Sequence, residues 1–205
     1  MTLMDANDAA LFATQLAMGF ALAASVGVRA FLPLFATGLL ARQGYIELAP
    51  SFQWMAGTPA LVVFGSAFVF EILADKVPFL DHLLDAGGAF VKPVAGTILA
   101  ASLFTQLDPL VATTLALVTG GAVAGTVAAM KSLMRVVSTG TTAGFGNPFL
   151  SVAEDAAATA GIVLAFLLPI VAALVTLALV AFCLVKLARV FLRRGAAPPR
   201  GNAGS

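Results

Sequence analysis

Apolar residues run along this chain in long blocks, divided by short polar interruptions. The first block extends from about Ala9 to Gly27, after which "VRAFLP" sets Arg29 ahead of a second run, Phe31–Ala41. That second run is too short to cross a bilayer comfortably, so it is either a short span or a re-entrant segment. "RQGYIELAPSFQWMAGTP" follows, with the chain's one Tyr and one Trp, a composition that suits a membrane interface. Pro59 to about Val77 predicts the next helix. Pro78 suits the first position of another, which must continue through Gly87, Gly88 and Pro93 to about Phe104. Leu110–Val137, Phe149–Leu168 and Ile170–Leu192 predict three more, and "RRGAAPPRGNAGS" reads as a disordered tail.

A spanning helix needs roughly 20 apolar residues, so the predicted fold class is all-α, a polytopic membrane bundle of about six to seven helices with broken or short segments. The expected plan is a polar segment at 1–8, a transmembrane domain at 9–192 and a cytoplasmic tail at 193–205.

Composition agrees with that plan. Of 205 residues, 60% are hydrophobic and 10% charged, against about 25% charged in ordinary soluble domains. The net charge of +1, without a long basic tract, argues against a nucleic-acid partner. The single cysteine, Cys183, excludes a disulfide framework and a Cys-based metal site. The N-terminus carries acids where a cleavable signal would carry bases, so the first block is expected to remain as a helix. Placing Arg193, Arg194 and Arg200 in the cytoplasm puts Lys76, Lys92, Lys131 and Arg135 at cytoplasmic helix ends, and Arg29 as well if the acidic N-terminus is outside and Phe31–Ala41 crosses.

"PFLDHLLDA" at Pro78–Ala86 and "PFLSVAEDA" at Pro148–Ala156 coincide at five of nine positions, 70 residues apart. With two helices intervening, this predicts a parallel duplicated hairpin, with copies near 59–105 and 110–168, rather than an inverted repeat.

The chemistry-bearing side chains gather toward one face of the membrane. The candidates for a substrate or ion pathway are Arg29, Glu71, Asp75, Asp85, Lys131, Arg135, Glu154 and Asp155, with Asp81, His82 and Lys92 nearby. An unpaired charge in hydrocarbon costs about 2.5–3.5 kcal/mol even on the lenient insertion scale. Glu71 follows twelve uncharged residues in its helix, so it should pair with Arg29, Lys131 or Arg135, or be protonated. "STGTTAGFGNPFLSVAED", Ser138–Asp155, interrupts two apolar blocks. Its hydroxyls and amides around Thr141, Thr142, Gly144, Gly146 and Asn147 make a candidate anion cradle ahead of a helix start. The carboxylates of Glu154 and Asp155 oppose a further anion there unless Lys131 or Arg135 offsets them.

"GVRAFLPLF", "EILADKVPFLDHLLDAGGAFVKPVAG" and "GFGNPFLSVAED" resemble motifs of a multi-pass membrane family, domain of unknown function 4126, over about Ala17–Pro169. The resemblance implies a helical membrane protein, of the inner membrane in a bacterium, and supplies no site residue.

Three functions fit these features. The first is a small transporter or channel with a charged cavity near the cytoplasmic face, handling an anionic solute or lipid headgroup with proton or cation coupling. The second is a non-catalytic scaffold whose charges fix helix packing, helped by small residues in "GGAVAGTVAAM". The third is a lipid enzyme with a divalent metal on Asp81, Asp85, Glu154 and Asp155. No nucleophile or base stands out, and no cofactor is implied. The partners expected are the lipid bilayer and that solute or headgroup, with a homo-oligomer left open.

Overall fold

The computed structural model describes residues 6–75, 78–142 and 146–195, giving the backbone alone at 78–86, 147–148 and 190–195. It is a helical bundle: α1 (Ala6–Val28), α2 (Phe31–Arg42), a 3₁₀-helix (Pro50–Ala56), α3 (Thr58–Ala74), α4 (Pro78–Leu103), α5 (Pro109–Ala116), a π-turn (Leu117–Gly121), α6 (Ala122–Thr142), α7 (Asn147–Leu167) and α8 (Pro169–Gly195). Among the described residues, four stretches are long and apolar enough to cross a membrane: α1, the continuous Pro109–Thr142, Phe149–Leu167 and Pro169–Arg189. The 3₁₀-helix and α3 pass the same test as a pair bent by 63°. A multi-pass membrane bundle follows.

α1 is the central post, packed by α4, α6, α7 and α8. Its stretch Ala21–Gly27 is Ala, Gly and Ser with Leu22 and Val26, and it is buried on every side. Such small residues let backbones approach in lipid, where packing rather than hydrophobic expulsion holds helices together. A Cβ at Gly27 would lie 2.6 Å from Val127 Cβ and 2.7 Å from the Ala124 carbonyl oxygen. The α4 crossing is as close, since a Cβ at Gly120 would meet the Gly96 carbonyl oxygen at 2.5 Å. Pro93, inside α4, packs on Gly125, whose added Cβ would stand 3.3 Å from the proline ring.

α2 is 12 residues long, about 18 Å at helical rise and short of the roughly 30 Å hydrocarbon core. It packs against α3, and the segment after it reaches the far end of α4, where Ala49 N–H donates to Ser102 O at 2.7 Å. At the bundle's other end lie the C-termini of α1, α3 and α6 and the N-terminus of α7. Two boundaries differ from expectation. α6 continues through Thr142, so Ser138–Thr142 is helix rather than loop, and α8 runs to Gly195, into the expected tail.

Candidate functional site

The break between α1 and α2 organises the charged end. α1 stops at Val28 and α2 starts at Phe31, with Arg29 in the gap, fully buried. A helix C-terminus presents unpaired carbonyls and a partial negative charge, and an N-terminus presents amides and a partial positive one. Both ends are met here by charges of the complementary sign. Lys131 of α6 donates to Val28 O at 3.1 Å. Glu71 of α3 accepts from Ala30 N–H at 3.1 Å and from Phe31 N–H at 3.5 Å. The sequence led to the expectation that Glu71 pairs with Arg29, Lys131 or Arg135 or is protonated. Its oxygens instead face the start of α2, and Arg29 adds a longer-range attraction.

Around Arg29 the ions form one connected set. Its guanidinium pairs with Asp75 through Nη1, with Asp155 Oδ1 through Nε at 2.6 Å, and donates to Ser151 Oγ at 3.0 Å. Ser151 in turn donates to Asp75 Oδ2 at 2.8 Å. Arg135 reaches the same oxygen at 3.4 Å and clasps Glu154 with Nε at 3.2 Å and Nη2 at 2.7 Å, the fork geometry that suits guanidinium. Lys131 completes the set at 3.1 Å from Glu154 Oε2. Neighbours on α7, Glu154 and Asp155 diverge, one toward α6 and the other toward Arg29. Burial works against the charge of Asp75, but Arg29, the Ser151 hydroxyl, Arg135 and Lys131 outweigh it and hold its carboxyl below the usual carboxylate range.

Beside this set lies a cavity of about 290 Å³ whose lining includes Ala30, Phe31, Ala67, Phe70, Glu71, Asp75, Gly87, Gly88, Val91, Lys92 and Lys131. Lys92 is buried, and its chain folds back over Gly88, where an added Cβ would stand 3.2 Å from Cε and 3.6 Å from Nζ. Among the described residues, Arg29, Lys92, Lys131 and Arg135 stand with Glu71, Asp75, Glu154 and Asp155, four cations and four carboxylates.

Seven of the eight pathway candidates therefore come together. The eighth, Asp85, has its side chain outside the described residues, as do Asp81 and His82. The cradle candidates lie apart, beyond Arg135. Thr141 donates to Val137 O at 2.9 Å, and Thr142 donates to Ser138 O at 2.7 Å while accepting from Gly146 N–H at 3.0 Å. Gly144 and the Asn147 side chain fall outside the described residues. No group of three or more His, Cys, Asp or Glu placed to hold a metal occurs among the described residues. Ser151 and the Val28 carbonyl escaped sequence reasoning. The signal for Ser151 was its spacing, one turn before Glu154 and Asp155 on α7.

The model of the domain of unknown function DUF4126 matches residues 16–189. The chain belongs to this family. No curated protein and no solved structure matches it. The DUF4126 description carries no activity, so function must be argued from the site.

Proposed function

We propose that this DUF4126 protein is a small transporter whose binding cavity lies at the charged end of the bundle. The observation that carries the reading is the cavity at the α1–α2 break, with lysines and carboxylates in its lining and half-helix ends against it. Irregular backbone at membrane depth is tolerated where it is buried or lines a cavity, and half-helix ends at such breaks serve ligands and ions in transporters. Lys131 and Lys92 supply donors for an anionic group, and Glu71 is the carboxylate whose protonation would loosen the α2 cap. Lys186 and Arg189 on α8 are further cations toward this end, and under the positive-inside rule it would face the cytoplasm together with the C-terminus.

The test needs no cargo. With Cys183→Ser as background, Ala67→Cys places a thiol in the cavity lining. Labelling by impermeant maleimide from both faces of sealed vesicles, in different conditions, supports transport. Strictly one-sided labelling in every condition refutes it.

The mutual pairing of the buried ions among the described residues favours a second reading, a scaffold whose ions only fix packing. In that case Ala67→Cys never labels in the intact fold.

A further inference from the structure

We propose that the cavity takes the anionic headgroup of a lipid, which enters sideways from the bilayer between α3 and α4. This deepens the transporter reading and rests on it for the cavity being a ligand site.

Three observations lead there. First, the rim is apolar and faces outward: Phe70 on α3 and Val91 on α4 line the cavity yet are 53% and 42% exposed. On a membrane bundle such side chains meet acyl chains rather than water. Second, α4 presents Gly87 and Gly88 at the same opening, and among the described residues a Cβ on Gly87 would meet nothing within 4 Å. At these two positions α4 puts no side chain of its own across the lip. Third, the floor offers donors. Both Glu71 oxygens take α2 amides, and Asp75 is held by Arg29, Ser151 and Arg135. Lys131 donates to Val28 O and pairs with Glu154, and an ammonium has three protons, so it can still direct one at a ligand. Lys92 brings a second ammonium to the lining.

Size selects the occupant. A whole drug-sized ligand fills roughly 300–1,000 Å³, and about 290 Å³ is at the bottom of that range. It holds a phosphate or carboxylate headgroup with its first few carbons, while the chain runs out past Phe70 and Val91 into lipid. A water-soluble anion would need no apolar lip and no lateral gap.

The purified full chain in mild detergent is tested with radiolabelled 1-oleoyl lysophosphatidic acid, glycerol 3-phosphate and 1-oleoyl lysophosphatidylcholine. The expected result is saturable binding of lysophosphatidic acid. Glycerol 3-phosphate, with no chain to bury, binds at least about a hundredfold more weakly. Lys92→Gln should weaken lysophosphatidic acid about tenfold or more, the scale of a hydrogen bond to a charged group. Gly87→Leu should weaken it comparably by filling the gap, with a melting temperature within about 2 °C of wild type because its side chain enters open space.

Glycerol 3-phosphate binding as tightly as the lipid, and indifferent to Gly87→Leu, overturns lateral entry while leaving the cavity as a ligand site. Equal binding of lysophosphatidylcholine overturns the anionic selectivity. Failure of every probe to exceed micelle partitioning overturns both the inference and the transporter reading beneath it.

Discussion

Replacing Arg29 by methionine removes the centre of the ion set and keeps most of the side-chain volume. The loss is an ion pair to buried Asp75, a second at 2.6 Å to Asp155, and a hydrogen bond at 3.0 Å to Ser151. The two pairs do not weigh equally. The Asp155 side chain is 37% exposed, so once abandoned it can hydrate, and a pair of that kind is worth about 1 kcal/mol or less. Asp75 has 4% side-chain exposure and keeps Arg135 at 3.4 Å and Ser151 at 2.8 Å. Stripping one partner from a buried pair costs about 3–5 kcal/mol. Those remaining partners put Asp75 near the low end, so the expected loss is about 3 kcal/mol. For a chain of this size that is a fall of about 6–12 °C in melting temperature. Cys183, 2% exposed, is the natural reporter, since a thiol-reactive dye gains access to it only as the bundle opens. Asp155→Asn leaves Arg29 its pair with Asp75 and an amide oxygen beside Nε, so it should shift the midpoint by less than about 4 °C. Adding Asp75→Leu to Arg29→Met should restore at least half of the loss, because an apolar pair replaces an orphaned carboxylate. A fall under about 3 °C for Arg29→Met, or a double variant worse than the sum of its parts, would refute the reasoning.

Other consequences are equally direct. Glu71→Gln keeps a carbonyl for the Ala30 amide but removes the charge at the α2 N-terminus, and should destabilise by about 1–2 kcal/mol with faster amide exchange at Ala30 and Phe31; a more stable variant would contradict the cap. Asp75 is held below its ordinary 3.8, so its stabilisation is complete above that pH and fades as pH falls through the lower folded-state value. Melting temperatures between pH 6 and pH 3 should therefore fall less steeply for Asp75→Asn than for wild type. Gly120→Val drives a branched side chain into the Gly96 carbonyl and should cost about 3 kcal/mol, the upper part of the range for overpacking, as read by the same thiol assay.

The helices were legible because lipid imposes a simple rule: backbone groups must be satisfied within a segment, and the segment must be about 20 apolar residues long. That rule finds α1, α3, α4, α7 and α8 to within a few residues of their ends. It misjudges Ser138–Thr142. Ser, Thr and Gly favour loops in water, but Thr141 and Thr142 donate to carbonyls of their own helix and carry α6 a turn further. The π-turn at Leu117–Gly121 leaves no hydrophobic signature, and its sense appears only when Gly120 is seen against Gly96. The site was half legible. Charge cost alone says that Arg29, Asp75, Lys131, Arg135, Glu154 and Asp155 must meet, but the pairings depend on how α1, α3, α6 and α7 rotate. For Glu71, a cationic partner or protonation was the reading an acid in an apolar helix suggests, and its hydrogen-bond partner, backbone freed by the break at Arg29, has no sequence signal of its own.

That break also bears on whether the ion set is a rivet or a latch. A rivet needs each charge to have one partner and no alternative. Here Asp75 Oδ2 receives both Arg29 and Arg135, Ser151 lies between Arg29 and Asp75, and Glu154 Oε2 receives both Lys131 and Arg135. A movement of α3 or α7 against α1 would then exchange one partner for another already within reach. The energy of such a step is the difference between two pairings, not the cost of an exposed buried charge, and differences of a few kcal/mol are what a two-state element requires. The half-helix ends add to this, because Glu71 and Lys131 sit where a ligand's own charges would be welcome. An arrangement of shared carboxylates beside a cavity fits a latch that a ligand can bias, and a set of ions serving only to fasten helices has no need of the sharing.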